Sequence, residues 1–518
     1  MESLVLSIDC GTQSLRVHIF DLKGNLLAGE RTEYLPYFSK NPGWAEQNPD
    51  IFWGSTINGI KKLKQRNPEL IDKIKGIGIT AQRNTMICCD KNGNHLRDAI
   101  TWLDQRKAAP VFKPNSFVKA GAKALGMLET IYKVQTEGKS NWIKQNEAQI
   151  WDKTFKYLQV SGFLNFKLTG EFKDSKASQI GHLPFNYKKM NWALNGEIQS
   201  LLFPIEKSKL PELVEPGDLI GKLSLKAAKE TGLKKGIPII ACGSDKGCET
   251  IGMGVYSPEI ASLSFGTTAT VQTTSKKYFE PIKFMPAYPA PYPGHYNPEV
   301  EIFRGYWMIT WYKNEFAHPE INESQKTGIL PEVLLNKLLD KTPPGAMGLI
   351  LQPFWSPGLN HLDAKGAIIG FGDVHTRAHV YRAVIEGLSF ALYDGLLKIE
   401  KKSKIKVKKL AVSGGASQSD NICQISADIF NRPIIRGKTS ETSGLGAAII
   451  TAAGLGFYKD IKEAGENMVE YGDKFYPDKS NALLYKKIYK NVYSKIYHAL
   501  EPVYKEIRKI TGYPEIYK

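Results

Sequence analysis

The chain has no uninterrupted apolar run of roughly eighteen residues, so no membrane-spanning helix is expected. The pattern G-x-x-x-x-G-K-[ST] is missing, which excludes the Walker type of phosphate loop, and so is the zinc-protease pattern H-E-x-x-H. Cysteine is sparse. Cys10, Cys88, Cys89, Cys242, Cys248 and Cys423 have neither zinc-knuckle nor thioredoxin spacing, and reduced thiols in a cytoplasmic protein are expected. Met1 leads almost directly into the short apolar run Leu4 to Ile8, so a secretory signal is not expected. The ending Pro-Glu-Ile-Tyr-Lys matches no lipidation signal.

What is present is a globular composition, 42% hydrophobic and 23% charged over 518 residues. That length exceeds one ordinary core, and two domains, or three, are expected. The net charge of +17 suits an anionic partner, whether nucleic acid, membrane surface or phosphorylated ligand. The densest basic run, Lys398 to Lys409, lacks the interleaved aromatics that stack on single strands. A solvated face is expected there, with neither nucleic acid nor membrane as partner.

Apolar patterning predicts strands over Leu4–Ile8 and Leu15–Phe20, a third beginning at Leu26, and others at Ile74–Thr80, Met86–Cys89 and Gly236–Cys242. Further strands are expected at Ala261–Phe265, Ala269–Thr273 and Lys409–Val412. Helices are expected near Pro49–Lys64, through most of 115–170, and over Arg377–Lys398, Asp420–Phe430 and Gly444–Ala453. A last helix, Asn481–Ile510, should break near Pro502. The stretch marked by Pro204, Pro211 and Pro216 reads as a linker, and the Pro- and Tyr-rich 278–298 as loop.

Two segments echo each other. Leu6 to Ser14 and Ala261 to Ala269 are each strand, Gly-Thr turn, strand, with Asp9 in the first where the second has Ser264. Two related halves clamping one ligand would account for this. In the first turn, backbone N–H groups and the Thr12 and Ser14 hydroxyls suit phosphate oxygens, and Arg16 adds charge. Asp9, at the strand end, suits a magnesium ion. Ser413-Gly414-Gly415-Ala416 joins a strand to a helix start, the form of a nucleotide site. Asp245, just past an apolar strand, is either a helix cap or a carboxylate placed to take a hydroxyl proton in phosphoryl transfer.

Together these pieces resemble the FGGY family of carbohydrate kinases, within the superfamily that includes hexokinase, actin and the ATPase-type chaperones. The resemblance runs in order through Asp9-x-Gly11-Thr12-x-Ser14-x-Arg16, Gly43-Trp44-Ala45-Glu46-Gln47-x-Pro49, Gln82-Arg83 and Trp102-x-Asp104-x-Arg106. It continues through Leu168-Thr169-Gly170-Glu171, Gly243-x-Asp245, Gly266-Thr267-Thr268, the long block Gly366 to Phe390, Ser413 to Ala416, and Glu441-x-x-Gly444-x-Gly446-Ala447-Ala448. It implies an α/β fold of two ribonuclease-H-like domains, 1–253 and 254–518, with the active site in the cleft between them.

It also implies roles. Asp245 would be the catalytic base. Arg83, Asn84, Trp102, Asp104 and Lys246 would line the sugar site with it. Thr12, Gln13, Arg16, Gly266, Thr267, Gly305, Gly414, Gly415, Ala416 and Ser419 would hold ATP, and Asp9 the Mg2+. His375 and His379, spaced like metal ligands, are expected to be structural.

Glycerol kinases carry Gln-Arg-Glu-Thr where this chain has Gln82-Arg83-Asn84-Thr85, and the Gln-Met-His-Gly of xylulose kinases is also absent. The Gly43 to Gln47 run is more like pentulose kinases. The expected function is ATP-dependent phosphorylation of a small sugar or polyol, first a pentulose such as D-xylulose, with glycerol or another polyol as alternative. A non-catalytic nucleotide-binding protein of the actin and chaperone superfamily is the alternative of another class. A small molecule is the expected partner, and a homodimer the candidate assembly.

Overall fold

A computed structural model describes residues 3–513 apart from 115, 125–126, 284 and 356–361. The ending at 514–518, read above for lipidation signals, lies outside the described residues. Two six-stranded sheets organise the chain. The first is built from β1 (Leu4–Cys10), β2 (Ser14–Asp21), β3 (Leu26–Glu33), β4 (Ile74–Ala81), β5 (Leu219–Lys222) and β6 (Pro238–Ser244). The second uses β7 (Ile260–Phe265), β8 (Ala269–Thr273), β9 (Glu299–Ile302), β10 (Lys409–Ser413), β11 (Ile434–Gly437) and β12 (Tyr471–Phe475).

Read from one edge, the strand orders are β3-β2-β1-β4-β6-β5 and β9-β8-β7-β10-β11-β12. The pairings match position by position: two antiparallel, two parallel, then one antiparallel. The nine-residue echo is thus the visible part of a repeat of whole sheets. The copies differ at the last edge, where β5 precedes its neighbour β6 in the chain and β12 follows β11. The central strand β1 is buried along its whole length, while β3, at an edge, alternates between exposed and half-buried, as central and edge positions require.

Six helices matter for the site: α1 (Asp50–Arg66), α2 (Val160–Thr169), α3 (Asp245–Gly252), α4 (Arg377–Ser403), α5 (Asp420–Phe430) and α6 (Thr442–Gly454). α4 and α5 pack into the second sheet's core, and α2 into the first's. α6 crosses over. Although it comes from the second half, it shares a cluster with Val5, Phe20, Ile240 and Cys242 of the first sheet and with Cys248 and Ile251 of α3. Glycines make this approach close enough. A Cβ on Gly446 would overlap the Cys248 carbonyl, and one on Gly252 the Thr442 carbonyl.

Several sequence expectations change. The helical region 115–170 is interrupted by a strand, Lys156–Gln159, because Met86–Cys89 needs a partner. The proline-marked linker is packed structure, with Glu212–Val214 pairing in parallel with Lys173–Ser175. Within 278–298, Tyr288–Pro289 pairs with Tyr296–Asn297. The last helical region does not break at Pro502. Its irregularity is a wide turn at Tyr489–Tyr493, and the helix Ser494–Thr511 runs through the proline, held by the buried Tyr497 and Tyr504 on either side. His375 and His379 lie at a helix start, where Thr376 and His379 form the cap of α4, the Thr376 N–H donating to His379 Nδ1, and His375 Nδ1 accepts from the Gly372 N–H. None of the described helices is long and apolar enough to cross a membrane.

The α3–α6 contact is testable. G446A should destabilise the protein by about 1–3 kcal/mol through forced separation of the two helices. G54A, at an exposed position inside α1 with no atom within 4 Å of the new methyl, should stabilise by up to about 1 kcal/mol. Urea unfolding of both variants reads the difference.

Candidate active site

The carboxyl ends of β1, β4, β6, β7 and β10 carry Asp9, Arg83, Asp245, Gly266 and Gly414 at or just past their last residues, the usual ligand side of such sheets.

The first turn is held open by other residues. Tyr34 donates to the Gly11 carbonyl at 2.7 Å and Gln82 to the same oxygen at 3.4 Å. Thr12 is bound by Trp102, whose indole N–H reaches its Oγ1 at 2.9 Å. Trp102, expected on the sugar, therefore also touches the phosphate turn. Gln13 is exposed beside it.

Asp9 is buried with Arg16 Nη1 at 3.3 Å, and the same guanidinium nitrogen stands 3.3 Å from Glu441. Glu441 precedes α6, so an acid from the second half reaches the first Gly-Thr hairpin. Asp9 is pushed up from 3.8 to about 7, first by burial, with Asp245, Glu441 and Glu249 adding to it and Arg16 opposing.

Asp245 opens α3, but it is not the cap. Ser244 caps the helix, its hydroxyl accepting from the Gly247 N–H. The Asp245 carboxylate is thereby left for other work. Its side chain keeps 29% exposure, and its ion pair among the described residues is with Arg83 Nε at 3.8 Å. Burial raises its affinity for a proton while Arg83 and Lys246 lower it.

Arg83, expected on the sugar side, links the two halves. Its Nε donates to Ser244 at 3.2 Å and its Nη1 to Glu299 of the second half at 2.9 Å, and its guanidinium lies 5.2 Å from the Tyr288 ring centroid. Asn84 adopts a left-handed backbone (φ 54°), and its Oδ1 accepts from the His182 N–H at 3.4 Å.

Two expected sugar residues are placed differently. Asp104 has both carboxylate oxygens filled, by Arg106 at 2.8 Å and by the Ala45 N–H at 2.6 Å, and its side chain is 2% exposed. It is an internal anchor, because a buried carboxylate must be fully paired. Lys246 turns to the second hairpin, donating to Ser264 at 2.6 Å and to Glu249 at 2.9 Å. Glu249 also accepts from Ser413 at the end of β10.

The second expected phosphate side is assembled from three segments. The Tyr306 N–H donates to the Gly266 carbonyl at 3.0 Å, which brings Gly305 against the hairpin. Gly414 takes φ 92° and lies against Gly266, where a Cβ would collide. Gly415 opens onto free space. Thr267 is exposed at the tip. Ala416 packs on the second core, and the Ser419 hydroxyl caps α5 by accepting from Ile422 at 3.3 Å.

No three His, Cys, Asp or Glu side chains among the described residues are grouped to hold a metal ion by themselves. This donor set still fits Mg2+, which takes one or two carboxylates and fills its other positions with water and substrate phosphates. Asp9 supplies such a carboxylate beside the phosphate turn.

Sequence reasoning missed Glu249, Glu299 and Glu301 and gave Glu441 no role. The signal for two of them was available: Glu-Val-Glu-Ile alternates acid and apolar, placing both acids on one strand face.

Two family models match the chain. The N-terminal domain of the FGGY family of carbohydrate kinases covers residues 4–252 and the C-terminal domain covers 261–455. A xylulose kinase of Staphylococcus epidermidis is 30% identical, covering 99% of this chain and 98% of that protein. A glycerol kinase of Thermococcus kodakarensis is 28% identical over 90% of this chain and 91% of its own length. A solved gluconate kinase from Lactobacillus acidophilus superposes with a TM-score of 0.80 at 23% identity, covering 98% of this chain and all of that one.

The burial of Asp9 has a pH signature. Its folded form keeps a proton to higher pH than the unfolded chain does, so wild-type stability should fall as pH rises from about 4 through about 7. D9N removes that loss. Without nucleotide or magnesium, D9N should be the more stable protein at about pH 8, by on the order of a few kcal/mol, and close to wild type at about pH 4. Urea unfolding at both pH values measures this, and equal differences at the two would contradict it.

Proposed function

The chain belongs to the FGGY family of carbohydrate kinases, and we propose that it transfers the terminal phosphate of ATP to a hydroxyl of a pentulose, D-xylulose first. The observation that carries this is Asp245. It stands at the carboxyl end of β6, relieved of capping by Ser244 and partly exposed, with Arg83 on one side and Lys246 leading to the second phosphate hairpin on the other.

In this reading a sugar hydroxyl lies against Asp245, which takes its proton as the oxygen attacks the phosphate. A carboxyl group whose proton affinity burial has raised suits that task near neutral pH. Phosphoryl transfer asks little covalent work of a protein and much positioning and charge neutralisation. Arg16 and Thr12 of the first turn and Thr267 and the Gly414–Gly415 backbone of the second side serve the phosphates. Asp9 would hold magnesium, which neutralises phosphate charge when bound. Arg83, Asn84 and Trp102 line the sugar side, with Asp104 fixing the segment that carries Trp102.

The choice of a pentulose is supported by the full-length relative named a xylulose kinase. The buried free thiols and the need for ATP support action in the cytoplasm.

A coupled assay over D-xylulose, ribulose, glycerol and erythritol tests the substrate, and turnover of D-xylulose above the others is expected. D245N should still bind ATP in a calorimetric titration but lose roughly 100- to 10,000-fold in kcat. Near-normal turnover by D245N would remove Asp245 from the role of base.

A further inference from the structure

Strand β9 carries an acid that the phosphoryl-transfer reading leaves unused. Its residues run Glu299, Val300, Glu301, Ile302, and alternate side chains of a strand point to opposite faces. Val300 and Ile302 enter the second core, so Glu299 and Glu301 share the other face. Glu299 shows where that face looks, because it binds Arg83 across the cleft. In register Glu299 stands opposite Gln272 and Glu301 opposite Thr270, which puts Glu301 nearer the Gly266–Thr268 tip.

The charges around Glu301 are those of the site. Glu299 acts on it from its own strand, Arg83 from the loop after β4, and Lys246 and Asp245 from the head of α3. Tyr288, whose ring faces Arg83, belongs to the same wall. Glu301 is half-buried, and burial beside Glu299 raises its carboxyl to about 7. Glu299 is paired; Glu301 has no hydrogen bond or close ion pair among the described residues.

We propose that Glu301 is a specificity-determining residue of the sugar pocket, supplied by the second half, which accepts a hydrogen bond from a substrate hydroxyl and rejects substrates that carry a carboxylate. A hydroxyl is a suitable donor to its oxygen. A carboxylate would bring a further negative charge next to Glu299, Glu301 and Asp245 in a partly desolvated cleft, where like charges repel strongly. Arg83 offers it little relief, being already engaged by Glu299. The inference rests on the assignment of Arg83 and Asp245 to the sugar site.

Steady-state kinetics of wild type, E301Q and E301A with D-xylulose and D-gluconate as neutral and anionic probes test it. E301A should raise the KM for D-xylulose about tenfold, the worth of one lost hydrogen bond, and E301Q, which keeps an acceptor oxygen but not the charge, by less, with kcat and the KM for ATP within about twofold in both. In both variants the ratio of kcat/KM for gluconate to that for xylulose should rise at least about tenfold at about pH 8. Wild-type discrimination against gluconate should strengthen as pH rises through about 7, where Glu301 ionises, and E301Q should lack that rise. Removing a charge from beside Glu299 should leave thermal stability at about pH 8 equal or higher, so both variants remain readable. Wild-type KM, ratio and pH profile in both would overturn the role of Glu301. If D245N turns over xylulose normally, or wild type phosphorylates neither probe, the kinase-site assignment itself has failed and Glu301 loses its role with it.

Discussion

Charge buried at the junction of the two halves has to be neutralised from across the cleft, and the site is organised by that requirement. Arg83 is paired with the fully buried Glu299, Arg16 with Asp9 and Glu441, and Lys246 and Glu249 reach Ser264 and Ser413. Apart from Arg16–Asp9, which lies within the first hairpin, each link joins a residue of the first half, α3 included, to the second. An unpartnered charge in such surroundings costs several kcal/mol, so the halves are drawn to the relation in which the pairs form. The same pairs orient the groups to which the proposed phosphoryl transfer is assigned. Positioning and cohesion are therefore one set of interactions, reinforced by the glycine-lined contact of α3 with α6.

Neutralisation is incomplete, and the remainder has chemical value. Asp9, Asp245 and Glu301 all hold protons to higher pH than free carboxylic acids, with burial as the first cause in each. Such concentration of raised acids marks functional sites more often than structural ones. It lowers the stability of the empty protein, and a cationic or hydroxyl-bearing ligand would relieve it, so binding and cohesion favour the same closed arrangement.

Much of the site was legible because its residues lie in local patterns. The Gly-Thr echo, Asp9 and Arg16 facing each other on the two strands of one hairpin, and Asp245 after an apolar strand all follow from period-two alternation and turn chemistry. Whether Asp245 caps its helix was not legible, since Ser244 and Asp245 are both good caps; the geometry gives the task to Ser244. The partners of Lys246 and Asp104 were not legible for a related reason. Spacing shows that a charged side chain is near a site, and not which of several partners at similar reach it takes. Glu299 and Glu301 escaped notice because the loop-like composition of 278–298 ran up to their strand. Pro502 misled because helix propensity is weak beside the packing of Tyr497 and Tyr504.

By itself the sequence determined the two-fold repeat of hairpins, the α/β class, the central strands, and the glycine turns with the carboxylates that flank them. These depend on side-chain periodicity and on backbone conformations that few residues adopt, and both are written locally. Only the tertiary structure decided that α6 lies on the first sheet, that Glu441 and Glu299 reach across to Arg16 and Arg83, and that Glu301 shares its strand face with Glu299. Those contacts join residues separated by hundreds of positions. Their energies come from burial and from charges made close by the fold, quantities that do not exist until both sheets are in place.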